Sequence, residues 1–144
     1  MMHSWLVARG PCNDELFNLS CQQADAVVYT PRDTRNQIVQ ARATLTVPAD
    51  AWLQLAGSYD GNLLLLYQNG SEIARTTGLA VQLSSSTTDL LIGVNQNGTL
   101  PSEPFLGVID ELVLFGTALN AEGVKTLARR GSPSEAERIS RTGM

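Results

Sequence analysis

Short runs in which apolar and polar residues alternate recur along the chain: SWLVARG (4–10), ELFNLSC (15–21), DAVVYTP (25–31), QIVQARATLTV (37–47), WLQLAGSY (52–59), NLLLLYQ (62–68), EIARTTG (72–78), LAVQLSS (79–85), DLLIGVN (89–95) and FLGVIDELVLF (105–115). Period-two alternation puts successive side chains on opposite faces of a strand, so each run reads as a strand with one buried face. Gly10-Pro11, Pro31-Arg32-Asp33, Pro48-Ala49-Asp50, Asp60-Gly61, Asn69-Gly70, Ser84–Ser86 and Asn97-Gly98 punctuate them. Many short strands at this spacing argue for an antiparallel sandwich or barrel. Asn69-Gly70 is the sharpest turn signal, because a type I′ hairpin needs positive φ at both central residues. NLLLLYQ departs from alternation and is apolar on both faces, which predicts a central strand covered on each side.

One stretch before the tail reads as a helix. NAEGVKTLARR (120–130) offers Asn120 as N-cap and basic residues in its last turn. The chain is thus divided into residues 1–130, one domain, and 131–144, a mobile tail or linker without an apolar face.

Composition fits that picture: 43% hydrophobic and 17% charged residues over 144 positions are enough to bury a core. Ten Lys and Arg against fourteen Asp and Glu leave a net charge of −4. Such a surface repels phosphate backbones, so no nucleic-acid partner is expected. No run approaches the roughly 18 apolar residues of a membrane span, so no membrane insertion is expected, and MMHSWLVARG is too short in its apolar core for a secretory signal. Cys12 and Cys21 read as separate thiols. If residues 5–9 and 16–21 form a hairpin, Cys21 lies opposite the region of Ser4 while Cys12 sits in the loop, beyond the roughly 7 Å that a disulfide spans.

The series W-x-x-L-A-G-S-Y-D-G (52–61), L-L-Y-x-N-G (65–70), L-I-G (91–93), F-L-G-V-I-D-E-L-V-L-F (105–115) and A-L-N-A-E (118–122) resembles the laminin-G-like domains of the concanavalin A-like lectin/glucanase superfamily. The resemblance implies an all-β, antiparallel two-sheet jelly-roll sandwich with one short carboxyl-terminal helix. It implies that Trp52, Tyr59, Tyr67, Phe105 and Phe115 pack in the interior, and that 105–115 is a sheet strand. Family members usually open with further strands before the first hairpin seen here. The chain is therefore expected to be a truncated or divergent member, part of a larger extracellular or cell-surface protein, with an unpaired sheet edge beside its last strand.

The same resemblance implies a non-catalytic recognition module for carbohydrate or a protein surface, with a structural Ca²⁺ as an implied cofactor and Asp110 as the ligand carried over. Asp60 and Asn95 are further oxygen donors, chosen only as loop positions. For ligand contact the loop residues Asp33, Arg35, Asn36, Asn95, Gln96 and Asn97 offer amide and charged groups. Turn chemistry at Asp60, backbone capping at Asp110 and plain loop solvation at the others are the competing readings. Glycoside hydrolysis is disfavoured, because Asp110 and Glu111 are adjacent and adjacent strand residues face opposite ways. Two alternatives stay open: an accessory domain or remnant of a glycoside hydrolase, and a structural spacer without ligand. Sequons at Asn18, Asn69 and Asn97 decide nothing, since two of them coincide with Asn-Gly turns.

Overall fold

Leu64 and Leu66 are completely buried and lie on one face of a strand whose other face buries Tyr67. That strand, β6 (Leu64–Gln68), is the middle of a three-stranded sheet between β5 (Leu55–Tyr59) and β7 (Ser71–Thr76). A strand with neighbours on both sides and cover on both faces needs apolar residues throughout, which is what the leucine run supplies. The computed structural model describes residues 3–9, 17–22, 26–29, 38–45, 52–79, 89–97, 100–102 and 104–131. The readings at Cys12, Asp33, Arg35 and Asn36, the 79–85 run beyond Leu79, and the tail from residue 132 lie outside the described residues.

The second sheet has five strands: β1 (His3–Arg9), β2 (Phe17–Gln22), β3 (Ala26–Tyr29), β4 (Ala41–Thr44) and β8 (Leu90–Ile92), in the order β4-β3-β2-β1-β8 and antiparallel throughout. Ser4 stands opposite Cys21, the register that the sequence suggests for the first hairpin. Val39, Ala41 and Leu45 are buried at alternate positions through β4, whereas Arg42 and Thr44 between them are exposed. These residues meet Leu64 and Leu66 to form the core between the sheets, with Leu19, Leu53, Leu55, Tyr59, Ile73 and Leu79 packed around them. Thr76 Oγ1 donates to the Gln40 carbonyl at 2.6 Å and ties the sheets together at that edge. A two-stranded ribbon, β9 (Asn95–Asn97) with β10 (Leu100–Ser102), completes the β structure of the described residues.

The β6–β7 turn has the backbone its sequence demands, with Asn69 at φ 50° and Gly70 at φ 77°. Gln54, just before β5, fastens it. The Gln54 amide donates to Asn69 Oδ1 (3.0 Å), its carbonyl accepts from the Asn69 amide (2.8 Å), and its Oε1 accepts from the Gly70 amide (3.1 Å). Further along the hairpin, register shifts between Leu66 and Tyr67, leaving Ile73 as an extra residue on β7. This bulge brings Glu72 and Arg75 onto one face despite their odd separation, and they form a two-pronged ion pair.

Helix α1 (Ala121–Gly131) covers the outer face of the three-stranded sheet. Val124 and Ala128 are buried along one stripe, and the Ser58 hydroxyl donates to the Leu119 carbonyl just ahead of the helix (3.0 Å). Asn120 caps it: Oδ1 accepts the Gly123 amide at 2.9 Å, and the Asn120 carbonyl accepts from Val124. Replacing Asn120 by alanine should cost about 1 kcal/mol in unfolding free energy, because an amide at the helix start loses its acceptor. Denaturant titration of the two proteins checks this. On the same sheet face burial pushes the Tyr67 phenol up, with the Glu72 carboxylate adding to it.

Two expectations are overturned here. Residues 105–115 form no strand; the backbone from 104 to 120 runs without regular secondary structure. Strand formation needs a ladder partner, and no described strand lies alongside to provide one. Trp52 and Phe115 are also not interior residues: they are 53% and 50% exposed. Trp52 precedes β5 rather than lying in it, and Phe115 belongs to the segment that never joins a sheet.

Candidate functional site, a loop cluster at Asn95 and Asp110

Gly93 follows β8, and its φ of 73° turns the chain toward β9. The Phe105 amide donates to the Gly93 carbonyl at 2.7 Å. A Cβ at Gly93 would sit 3.4 Å from Ile109 Cδ1. These contacts hold the turn at Gly93 against Phe105 and Ile109, so the start of β9 packs near the segment that leads into Asp110. Glu111 follows at φ 52°, a left-handed conformation uncommon for a side chain of its size. Asp110 stabilises it, since its Oδ1 accepts the Glu111 amide at 2.8 Å.

The sequence places Asn95, Gln96 and Asn97 in a loop, whereas all three lie in β9, paired with Ser102, Pro101 and Leu100. Asn95 is fully buried and hydrogen-bonded or otherwise engaged, not a surface oxygen donor. A polar amide at complete burial persists because its partners replace water. Asp110 is exposed.

Asp60 stands apart from this cluster. Its Oδ1 accepts from the Asn62 and Leu63 amides at 2.9 and 2.7 Å, and that turn packs through the Asn62 carbonyl on the Leu79 amide. The two amides hold its carboxyl below the ordinary range. A depressed folded value adds stability above the ordinary carboxylate pKa of about 4 and loses it as pH falls through the folded value. The advantage of the native protein over Asp60→Asn at neutral pH should therefore fade below about pH 4, as read by chemical unfolding of both proteins at stepped pH.

Calcium takes six to eight oxygens. Asn95 is buried and Asp110 exposed, Asp60 accepts two amides of its own turn, and no three His, Cys, Asp or Glu side chains cluster among the described residues. Among the described residues these side chains alone fall short of that number, so backbone carbonyls would have to supply the rest of the oxygens. What these segments do offer is an exposed carboxylate at Asp110, an uncommon backbone bend at Glu111 and a short amide-rich ribbon that begins at Asn95. Sequence reading missed the bend at Glu111, since nothing in IDELV marks a left-handed residue.

The Laminin_G_3 family model, described as the Concanavalin A-like lectin/glucanases superfamily, matches residues 7–125. The chain belongs to this superfamily. Its members' two-sheet jelly roll accounts for the pairing of a five-stranded with a three-stranded sheet seen here. Among solved structures of the same architecture, the CBM40 domain of Ruminococcus gnavus IT-sialidase bound to α2,3-sialyllactose superposes with a TM-score of 0.74 at 19% identity, covering 88% of this chain and 74% of that one. The botulinum neurotoxin type G receptor binding domain gives a TM-score of 0.60 at 15% identity, over 92% of this chain and 33% of that one. An S-layer domain-containing protein from Clostridium thermocellum gives 0.51 at 20% identity, over 78% and 55%. No curated protein matches this chain in sequence. No described helix of this superfamily member is long and apolar enough to cross a membrane.

Proposed function

We propose that this chain is a non-catalytic recognition module that binds carbohydrate at the surface of a larger extracellular or cell-surface protein. The observation that carries the reading is its superposition over most of its length on a domain named as a carbohydrate-binding module and bound to a sialylated sugar. The loop cluster supports it. Asp110 presents a carboxylate to solvent, a group that hydrogen-bonds sugar hydroxyls, and Gln96 and Asn97 of β9 are further amide contacts within this proposal. The site residues outside the described segments, Asp33, Arg35 and Asn36, stay within this proposal as loop contacts.

The test is titration of the chain with α2,3-sialyllactose and with lactose by NMR or calorimetry, with and without Ca²⁺. Saturable binding is expected, and Asp110→Ala should weaken it about tenfold, equivalent to roughly 1.4 kcal/mol. Asp110→Asn, which keeps an oxygen to accept the Glu111 amide, separates sugar contact from the loss of that turn bond. Silence on these sugars and on a wider glycan array would leave the spacer reading in its place.

A second reading has one observation in its favour. The CBM40 neighbour is by its name part of a sialidase, so this module would equally suit an accessory domain that holds a glycoside hydrolase on its substrate. A catalytic domain in the same gene distinguishes that case.

A further inference from the structure

Asn69, Lys125, Ala128 and Arg129 line a hollow of about 180 Å³ between the β6–β7 turn and α1. That is several times the share of one water molecule, about 30 Å³. Turn and helix are in contact here, since a Cβ on Gly70 would lie 3.0 Å from Lys125 Cα and 3.1 Å from Ala128 Cβ. Lys125 and Arg129 are exposed and stand four residues apart on the helix, so they share one side of it.

The polar groups of this hollow are unequally engaged. Asn69 Oδ1 accepts from the Gln54 amide, so the one side-chain acceptor is taken. What remains is donors only: the Asn69 side-chain amide, the Lys125 ammonium and the Arg129 guanidinium. None of the three has a partner among the described residues. The nearby carboxylates are placed elsewhere. Glu72, three residues along from Asn69, is held by Arg75, and Glu122 lines a different hollow beside Phe115. In a chain of net charge −4, residues 125–130 carry three cations and no acid.

We propose that this hollow is an oxyanion site, which takes the carboxylate of an acidic sugar or the sulfate of a sulfated one. Such an anion is all acceptor, the complement of a wall whose unengaged groups are all donors. Arg129 supplies a planar fork of N–H groups that matches two oxygens, and Lys125 adds a point charge one turn away. The helix itself adds no attraction, because its carboxyl end is the negative end of the dipole. Side chains therefore carry the binding, which is weak, in the millimolar range of exposed charge contacts, and falls with added salt. That a sugar bears the anion rests on the recognition reading above; the oxyanion site does not.

NMR titration of the isotopically labelled chain with glucuronate, glucose 6-sulfate and glucose, each to about 20 mM at matched ionic strength, tests the proposal. Saturating shifts of the Asn69 side-chain amide and of the 125–129 backbone amides are expected with an anionic sugar and not with glucose. The tighter of the two anions names the source. Lys125→Glu combined with Arg129→Glu should weaken binding at least tenfold. Asn69→Asp keeps the oxygen that accepts the Gln54 amide and a turn sequence suited to the hairpin, but removes a donor and adds a negative charge. It too should weaken binding at least tenfold while the far-UV spectrum holds. Asp110→Ala should leave these shifts unchanged. Shifts at 69 and 125–129 without any Asp110-dependent sugar binding sustain the oxyanion site while the recognition reading at Asp110 fails. Asp110-dependent binding without these shifts overturns the proposal and leaves that reading standing. Equal shifts with glucose, or shifts that either charge-altering variant leaves intact, overturn it as well.

Discussion

Leu66→Ala is expected to remove about 2–5 kcal/mol of stability, the range for deleting a fully buried leucine side chain. Leu66 has no solvent exposure and lies between Leu64, Ala41 and the other residues that join the two sheets. Truncation loses both the transfer free energy of the removed methyl and methylene groups and their contacts, because β6 has a strand on each side and cannot shift inward to fill the void. For a domain with a typical total of 5–15 kcal/mol, that loss takes up a large share. Leu112→Ala, an exposed leucine in the unpaired segment, should change stability by less than about 0.5 kcal/mol. Urea unfolding of both variants, with equal m-values, decides the matter. Near-equal losses would mean that the core is not where the sheets meet.

Gly70→Ala is the other large effect. Two separate penalties apply. At φ 77° any side chain is in left-handed backbone, worth roughly 1–2 kcal/mol. A Cβ there would also lie 3.0 Å from Lys125 Cα and 3.1 Å from Ala128 Cβ, so the helix itself has to move. Gly61→Ala separates the two, because Gly61 has φ 98° but open space around the added carbon. The expected order is a loss of about 1–2 kcal/mol at Gly61 and clearly more at Gly70. The excess at Gly70 should disappear in a chain cut before α1, provided that chain still folds. Equal losses in the intact chain would show that the helix yields freely.

Much of this architecture was legible in the residue pattern. The alternation of Val39, Ala41 and Leu45, the double-faced run at 63–67 and Asn69-Gly70 all carry local information that the packed structure uses unchanged. Asn120 was equally readable, since a cap bonds within its own first turn. The failure at 105–115 has the opposite cause. FLGVIDELVLF has strand propensity, but a strand exists only with a neighbour, and no residue within the run specifies one. Trp52 failed for a related reason: one residue's position relative to the start of a strand decides which way it faces, and sequence fixes such boundaries poorly.

The candidate site was less legible than the fold. Asp60 reads as turn chemistry from Asp-Gly alone, and its two amide bonds bear that out. Asn95 looked like a loop donor because NQNG is rich in turn residues, yet Asn95 to Asn97 pair as β9 with β10. What holds the turn before β9 against the segment leading to Asp110 is an approach of Gly93 and Ile109, two residues with no polar chemistry to announce it.

The fastening of the β6–β7 turn by Gln54 bears on how the molecule ages. An asparagine followed by glycine loses ammonia when the glycine nitrogen attacks the side-chain carbonyl carbon, closing a five-membered imide. Here that nitrogen is held by Gln54 Oε1 and the carbonyl oxygen by the Gln54 amide. The dipeptide most prone to spontaneous chemical decay is thus kept from the ring-closing geometry for as long as the hairpin stays folded.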